Sequence, residues 1–128
     1  MNPLRFIKDH NQKGQQAETI ALNYLQNQGL IKLQTNFSCK CGEIDLIMQD
    51  NEFLVFVEVR YRNRTQYGHP LETINYAKQK KIIKTIQFFL MQYPKYSQVP
   101  CRIDAVAINS QTPSGQEQIN WIKNAIQS

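Results

Sequence analysis

The sequence predicts a single α/β domain of αβββαβ order, in which two main helices flank a mixed central sheet. Two segments carry apolar residues at helical spacing, and two runs of β-favouring residues stand on either side of a short polar tetrapeptide. A further β-like run, Cys101–Asn109, follows the second helix, which favours a parallel crossover onto the sheet. A chain of 128 residues is long enough for one such domain with its own core.

The first helix is predicted from about Gln12 to Gln28, with Gly29 ending it. Residues 1–11 carry mixed charge without a period, and we expect them to be loosely ordered. Glu18 lies at the border of the apolar stripe, where its carboxylate can reach the edge of the sheet. The alternative is that Glu18 is an ordinary solvent-exposed charge on a helix.

Three strands are predicted to follow as a meander. Leu30–Phe37 is a weakly alternating run. Ile44–Met48 and Phe53–Val59 flank the tetrapeptide Gln49–Glu52, a combination typical of an antiparallel hairpin.

The hairpin also carries the charged residues that matter most. Because side chains alternate along a strand, Glu58, Arg60 and Arg62 share one face of the third strand. Glu58 ends a run that is otherwise apolar, so a buried carboxylate there needs a cation or a metal ion as a partner. The alternative is a simple ion pair with Arg60 or Arg62.

The second helix is predicted from about Leu71 to Tyr93 and is ended by Pro94. Lys78 lies near the border of its apolar stripe, whereas Lys80, Lys81 and Lys84 fall on the solvent side. The loop before it, Asn63–Pro70, contains His69, for which a surface position is the default and a catalytic or metal role the alternative.

Composition restricts the partners and the compartment. A formal charge of +5 and a pI of about 9.2 favour a polyanionic partner. No apolar run approaches the roughly 18 residues of a membrane span and no signal-peptide core is present, so we expect a cytoplasmic protein without a membrane partner. Cys39, Cys41 and Cys101 do not match the usual zinc spacing, and we expect reduced thiols.

The acids of the first helix and of the hairpin outline a metal site. Glu18, Asp45 and Glu58 are expected to converge at one edge of the sheet. Carboxylate oxygens suit Mg²⁺ or Mn²⁺, and Mg²⁺ typically holds one or two carboxylates and several waters, so Asp45 and Glu58 would be the primary ligands. Such an ion activates water and stabilises the charge that develops on a phosphodiester.

Two segments, Gly42–Ile47 (GEIDLI) and Val55–Arg62 (VFVEVRYR), carry a specific resemblance. The chain resembles the PD-(D/E)xK nuclease superfamily and, more closely, the YraN family of uncharacterised, predicted endonuclease-like proteins related to archaeal Holliday-junction resolvases. The likeness covers roughly Gln12–Ile126. It implies a restriction-endonuclease-like αβββαβ core, with Asp45 and Glu58 as metal ligands and Glu18 as the helix acid.

The resemblance also implies that Arg60 stands where the superfamily has its catalytic lysine. An arginine can stabilise negative charge but cannot act as a base, because its proton is not given up. Our hypothesis is that Lys78 supplies the missing ammonium group, and that Arg62, Lys78 and Lys81 contact nucleic acid.

The function expected from these observations is Mg²⁺- or Mn²⁺-dependent hydrolysis of DNA, with branched or single-stranded DNA as candidate substrates. The resolvase likeness suggests a homodimer, in which a two-fold axis presents two sites to two strands. Two alternatives stay open: a nucleic-acid-binding module that has lost its chemistry through Arg60, and a protein-interaction scaffold in which the acids form only an ion-pair network.

Overall fold

The structure, a computed structural model, describes residues 3–62, 75–109 and 117–126, with side chains described from residue 14 to residue 61 in the first of these ranges. The predicted loop Asn63–Pro70 with His69 and the first residues of the second predicted helix lie outside the described residues. The elements are α1 (Pro3–Asn27), β1 (Ile31–Cys39), β2 (Gly42–Asp50), β3 (Phe53–Arg62), α2 (Tyr76–Gln92), β4 (Cys101–Asn109) and β5 (Gln118–Ile122), with a short 3-10 helix at Pro94–Tyr96.

The strands form one mixed sheet in the order β1-β2-β3-β4-β5. The pairs β1–β2, β2–β3 and β4–β5 are antiparallel, and β3–β4 is parallel. The predicted meander, the hairpin and the parallel return after α2 are therefore confirmed, as is the αβββαβ order. The segment around Trp121 forms β5, an edge strand of the sheet.

Each face of the sheet is covered by one helix. Alternate residues of the central strands pack against α1 on one face, where Val55, Val57 and Val106 are fully buried. On the other face Phe56 meets Phe89 of α2, and their ring centroids lie 5.6 Å apart at an interplanar angle of 83°. Because both faces of β3 are covered, its long apolar run is explained.

Helix α1 begins at Pro3, earlier than the predicted start near Gln12. The stretch that we expected to be loosely ordered is thus helical from Pro3 onward. Proline is favoured at the first helical position because its fixed φ suits the helix and its missing N–H has no intrahelical partner there. No helix among the described residues is long and apolar enough to cross a membrane.

The end of α1 agrees with the sequence. Gly29 adopts a φ of 100°, its N–H donates to Gln26 O and the Leu30 N–H donates to Leu25 O, both at 3.0 Å. These two hydrogen bonds form the Schellman motif, which needs a residue with positive φ. Leu30 is buried immediately after it, so the chain turns directly into β1.

Candidate active site

The candidate site lies where β2 and β3 separate. Their ladder runs from Asp50 opposite Phe53 to Leu46 opposite Val57. One residue further, the Asp45 carboxylate accepts a hydrogen bond of 2.8 Å from the Val59 N–H. A side chain therefore takes the place of a backbone partner, which fixes Asp45 at the point of separation.

Glu18 reaches Asp45 from α1, as its position at the border of the apolar stripe predicted. The two carboxyl groups are hydrogen-bonded to each other. Burial, and then the negative charge of Asp45, raise the pKa of Glu18 to about 7. Two carboxyl groups in contact cannot both stay ionised cheaply, and the neighbouring Asp45 therefore favours the protonated form of Glu18.

Asn36 holds Glu18 from the opposite side. It lies in β1 between the residues that pair with Ile44 and Leu46, and its φ is 54°. With the amide nitrogen turned toward α1, Asn36 donates to both Glu18 oxygens, at 3.0 and 3.1 Å. A left-handed residue inside a strand is uncommon, and asparagine tolerates it better than most.

Glu58 lies on the α2 face of β3 and is buried, as the strand pattern predicted. Burial, and then the charge of Asp45, raise its pKa to about 8, although the positive charges of Lys78 and Arg60 act in the other direction. Lys78 Nζ lies 3.8 Å from Glu58 Oε2, and the Lys78 side chain is 42% exposed against 7% for Glu58. Glu58 therefore forms an ion pair with Lys78, while Arg60 acts on the pKa of Glu58 through its positive charge.

Asp45, Glu58 and Lys78 line a cleft of about 450 Å³ between the sheet and the first turns of α2. Its lining combines acids and lysines at the ends of β2, β3 and α2: Gly42, Glu43, Asp45, Glu58, Val59, Asn75, Ala77, Lys78, Lys81 and Ile82. The cleft is thus acidic at its floor and basic along the α2 side.

The floor of the cleft suits a divalent cation. Burial first, and then the charge of Glu43, raise the pKa of Asp45, against the hydrogen bond from Val59. Three carboxyl groups are therefore held in an environment that disfavours their charge, and a bound cation would relieve this cost. Asp45 and Glu58 supply the hard oxygen atoms that Mg²⁺ and Mn²⁺ prefer.

Glu18 contacts Asp45 but does not line the cleft. Among the described residues, no three acidic, histidine or cysteine side chains are placed to hold a metal ion together. Glu18 instead bonds to Asp45 and Asn36, because α1 approaches from the far face of the sheet. Two carboxylates with waters remain an ordinary ligand set for Mg²⁺.

Lys81 is placed differently from its position on the helical projection. It is exposed, as predicted, but it also lines the cleft next to Lys78. The reason is the β1–β2 turn, which packs on α2 so closely that a Cβ on Gly42 would lie 3.8 Å from Lys81 Cβ. Arg62 ends β3, but its side chain is outside the described residues.

Three residues of the site were not assigned a role from the sequence. Glu43, two residues before Asp45 in β2, lines the cleft. Asn75 caps α2, where its Oδ1 accepts a bond of 2.8 Å from the Lys78 N–H. Asn36 could have been found only through its tolerance of positive φ, since nothing in the alternation of β1 marks it.

A second buried acid, Asp104, belongs to a structural network. It is 0% exposed and accepts bonds from Arg102 Nε at 2.9 Å, Trp121 Nε1 at 2.9 Å and the Asn124 N–H at 2.8 Å. Arg102 also donates to Asp50 at 2.9 Å. Because these bonds join β2, β4, β5 and the residues after β5, Arg102, Asp104 and Trp121 stabilise the fold.

Comparison with known proteins shows that most of the chain is similar to one protein family. Residues 17–108 match the uncharacterised protein family UPF0102. A UPF0102 protein of Pseudomonas fluorescens is 46% identical over 121 residues, which cover 94% of this chain and 98% of that protein. A UPF0102 protein of Saccharophagus degradans is 47% identical over 116 residues, covering 91% and 93%. The family resemblance predicted from the sequence is confirmed, and the chain belongs to the uncharacterised protein family UPF0102.

Proposed function

We propose that this protein is a metal-dependent nuclease that hydrolyses phosphodiester bonds in DNA. The observation that carries the proposal is the pair Asp45 and Glu58 on the floor of the 450 Å³ cleft, with Lys78 and Lys81 on the α2 side. Carboxylates that burial holds above their ordinary pKa, beside exposed ammonium groups, suit a cation and an anionic substrate together.

In this proposal Asp45 and Glu58 hold Mg²⁺ or Mn²⁺. The bound ion would supply an activated water and a positive charge for the phosphate oxygens. Glu18 and the Val59 N–H orient Asp45, so that its carboxylate stays directed toward the cleft. Arg60 contributes positive charge next to Glu58, which stabilises a phosphorane-like transition state without any transfer of its proton.

Lys78 is the residue that we propose in the role of the superfamily's lysine. Its Nζ is already 3.8 Å from Glu58 and its exposed side chain can turn toward a substrate phosphate. The Asn75 cap fixes the helix turn from which Lys78 extends. Lys81 extends this positive charge along the cleft, and we propose that Lys81 and Arg62 contact the phosphates that flank the scissile bond.

Branched and single-stranded DNA are the substrates that we propose first, acted on by a homodimer whose two clefts engage two strands.

The second candidate is a binding module on a nuclease fold, and the observation that favours it is Arg60 in the position of the lysine. That candidate predicts salt-sensitive DNA binding without cleavage.

The test is cleavage of labelled linear, single-stranded and four-way-junction DNA with Mg²⁺ or Mn²⁺. The variants are Asp45→Asn and Glu58→Gln, which keep side-chain size, and the matched control is Glu52→Gln, an exposed acid in the hairpin turn. We expect cleavage by the wild type and the control, and none by the two site variants or in EDTA. DNA binding without cleavage by the wild type would instead support the binding module.

The role of Lys78 is tested in the same assay. Lys78→Ala should lower the cleavage rate by roughly 10²-fold or more, the scale of a lost electrostatic contact in a transition state. Lys84→Ala is the control, because Lys84 is exposed on the same helix and does not line the cleft. Equal rates for both variants would exclude Lys78 from catalysis.

A further inference from the structure

The turn between β1 and β2 carries two thiols that the proposed nuclease chemistry does not use. Cys39 ends β1 and Cys41 stands two residues later in the turn, and all three cysteines of the chain are free. The Cys41 N–H donates to Cys39 Sγ at 3.3 Å, so the Cys39 sulfur lies against the backbone of Cys41.

The turn is held in this arrangement by α2. A Cβ on Gly42 would lie 3.1 Å from Thr85 Oγ1, so the glycine allows the turn to pack directly on the helix. The Thr85 hydroxyl itself donates to Lys81 O at 2.7 Å. Burial of the Cys39 sulfur opposes its ionisation, but hydrogen bonds, foremost those from the Cys41 and Gly42 N–H groups, outweigh it, so the pKa of Cys39 is lowered.

We propose that Cys39 and Cys41 form a peroxide-reactive dithiol, in which Cys39 is the attacking thiolate and Cys41 the resolving thiol. Residues two apart have Cα atoms no more than about 7 Å apart, which is within or near the range for a disulfide. Cys41 is exposed, so a small oxidant can reach the turn. The proposal rests on the turn alone and not on the proposed nuclease function.

The reaction has two steps. The Cys39 thiolate attacks one oxygen of a hydroperoxide, the O–O bond breaks, and a sulfenic acid forms while hydroxide or alkoxide leaves. The Cys41 sulfur then attacks the Cys39 sulfur, the S–O bond breaks, and the disulfide forms as water leaves with the Cys41 proton. The two sulfurs lose two electrons in total, and the peroxide gains them.

The same chain provides an internal control in Cys101. It is exposed, and burial of its sulfur raises its pKa, so it should react slowly. Under limiting hydrogen peroxide followed by alkylation and mass spectrometry, we expect a Cys39–Cys41 disulfide and an alkylated, reduced Cys101. Iodoacetamide alone, at pH 7, should modify Cys39 roughly tenfold faster than Cys101 or more.

Two variants separate the roles of the sulfurs. In Cys41→Ser the sulfenic acid has no resolving thiol, so dimedone should label Cys39, whereas Cys39→Ser should give neither label nor disulfide. The proposal is overturned if Cys101 is oxidised or alkylated as fast as Cys39, or if peroxide leaves both turn thiols reduced. The alkylation comparison uses the wild type, so it stays decisive if a variant fails to fold.

Discussion

Glu58 should make the metal-free protein less stable as the pH rises. Its pKa is raised from 4.5 to about 8 in the folded state, so between these values the folded chain keeps a proton that the unfolded chain releases. Its contribution is therefore most favourable below about pH 4.5 and is lost progressively as the pH approaches 8. A shift of this size corresponds to a loss of roughly 5 kcal/mol in the free energy of unfolding. This figure is an upper limit, because the titration of Glu58 is coupled to that of Asp45.

The perturbation is Glu58→Gln, which removes the titration and keeps the shape. In EDTA, the free energy of unfolding of the wild type should fall by about 2–4 kcal/mol more between pH 5 and pH 8 than that of the variant. Urea unfolding at both pH values measures it, with Glu52→Gln as an exposed control that should follow the wild type. Parallel changes in the wild type and Glu58→Gln would refute the argument that Glu58 is buried against its charge.

Three further substitutions test the fold around the site. Asp104→Ala should cost about 3–5 kcal/mol in urea unfolding, because the partly buried Arg102 and Trp121 lose their fully buried acceptor. Asp50→Ala, at the more exposed end of the network, should cost less, and equal costs would contradict the network. Gly42→Ala should cost about 1–3 kcal/mol by the same measurement, since its φ is 152° and the added Cβ would meet Thr85; an unchanged stability would show that the turn is not packed on α2. Asn36→Ala should lower the cleavage rate by a larger factor than it lowers the fraction of folded protein, because it releases Glu18. A rate that falls only in proportion to the folded fraction would make Asn36 structural only.

The sequence predicted the two central acids because strand periodicity is strict. A period of two placed Glu58 on the opposite face from Val57, and the apolar run around it showed that this strand is covered on both sides. Asp45 was found through its position in the same hairpin. What periodicity could not show is that β2 and β3 separate at Asp45, because this depends on a side chain replacing a ladder bond.

Other parts of the site depend on contacts between distant segments. Glu18 was placed correctly at the border of α1, but its bonds to Asp45 and Asn36 require the helix and β1 to be in place. Lys81 was assigned to the solvent side because a helical projection does not include the Gly42 turn, which brings the cleft to that side of α2. The earlier start of α1 was missed because residues 1–11 show no apolar period.

The most direct test of the account is a calorimetric titration of the wild type with Mn²⁺ at pH 7.5, alongside Asp45→Asn and Glu58→Gln. We predict one Mn²⁺ per chain for the wild type, with affinity reduced by roughly tenfold or more in each variant. The metal should also raise the unfolding midpoint of the wild type alone. Wild-type protein that binds no Mn²⁺ at millimolar concentration, or variants that bind it equally well, would contradict the assignment of Asp45 and Glu58 as a cation site.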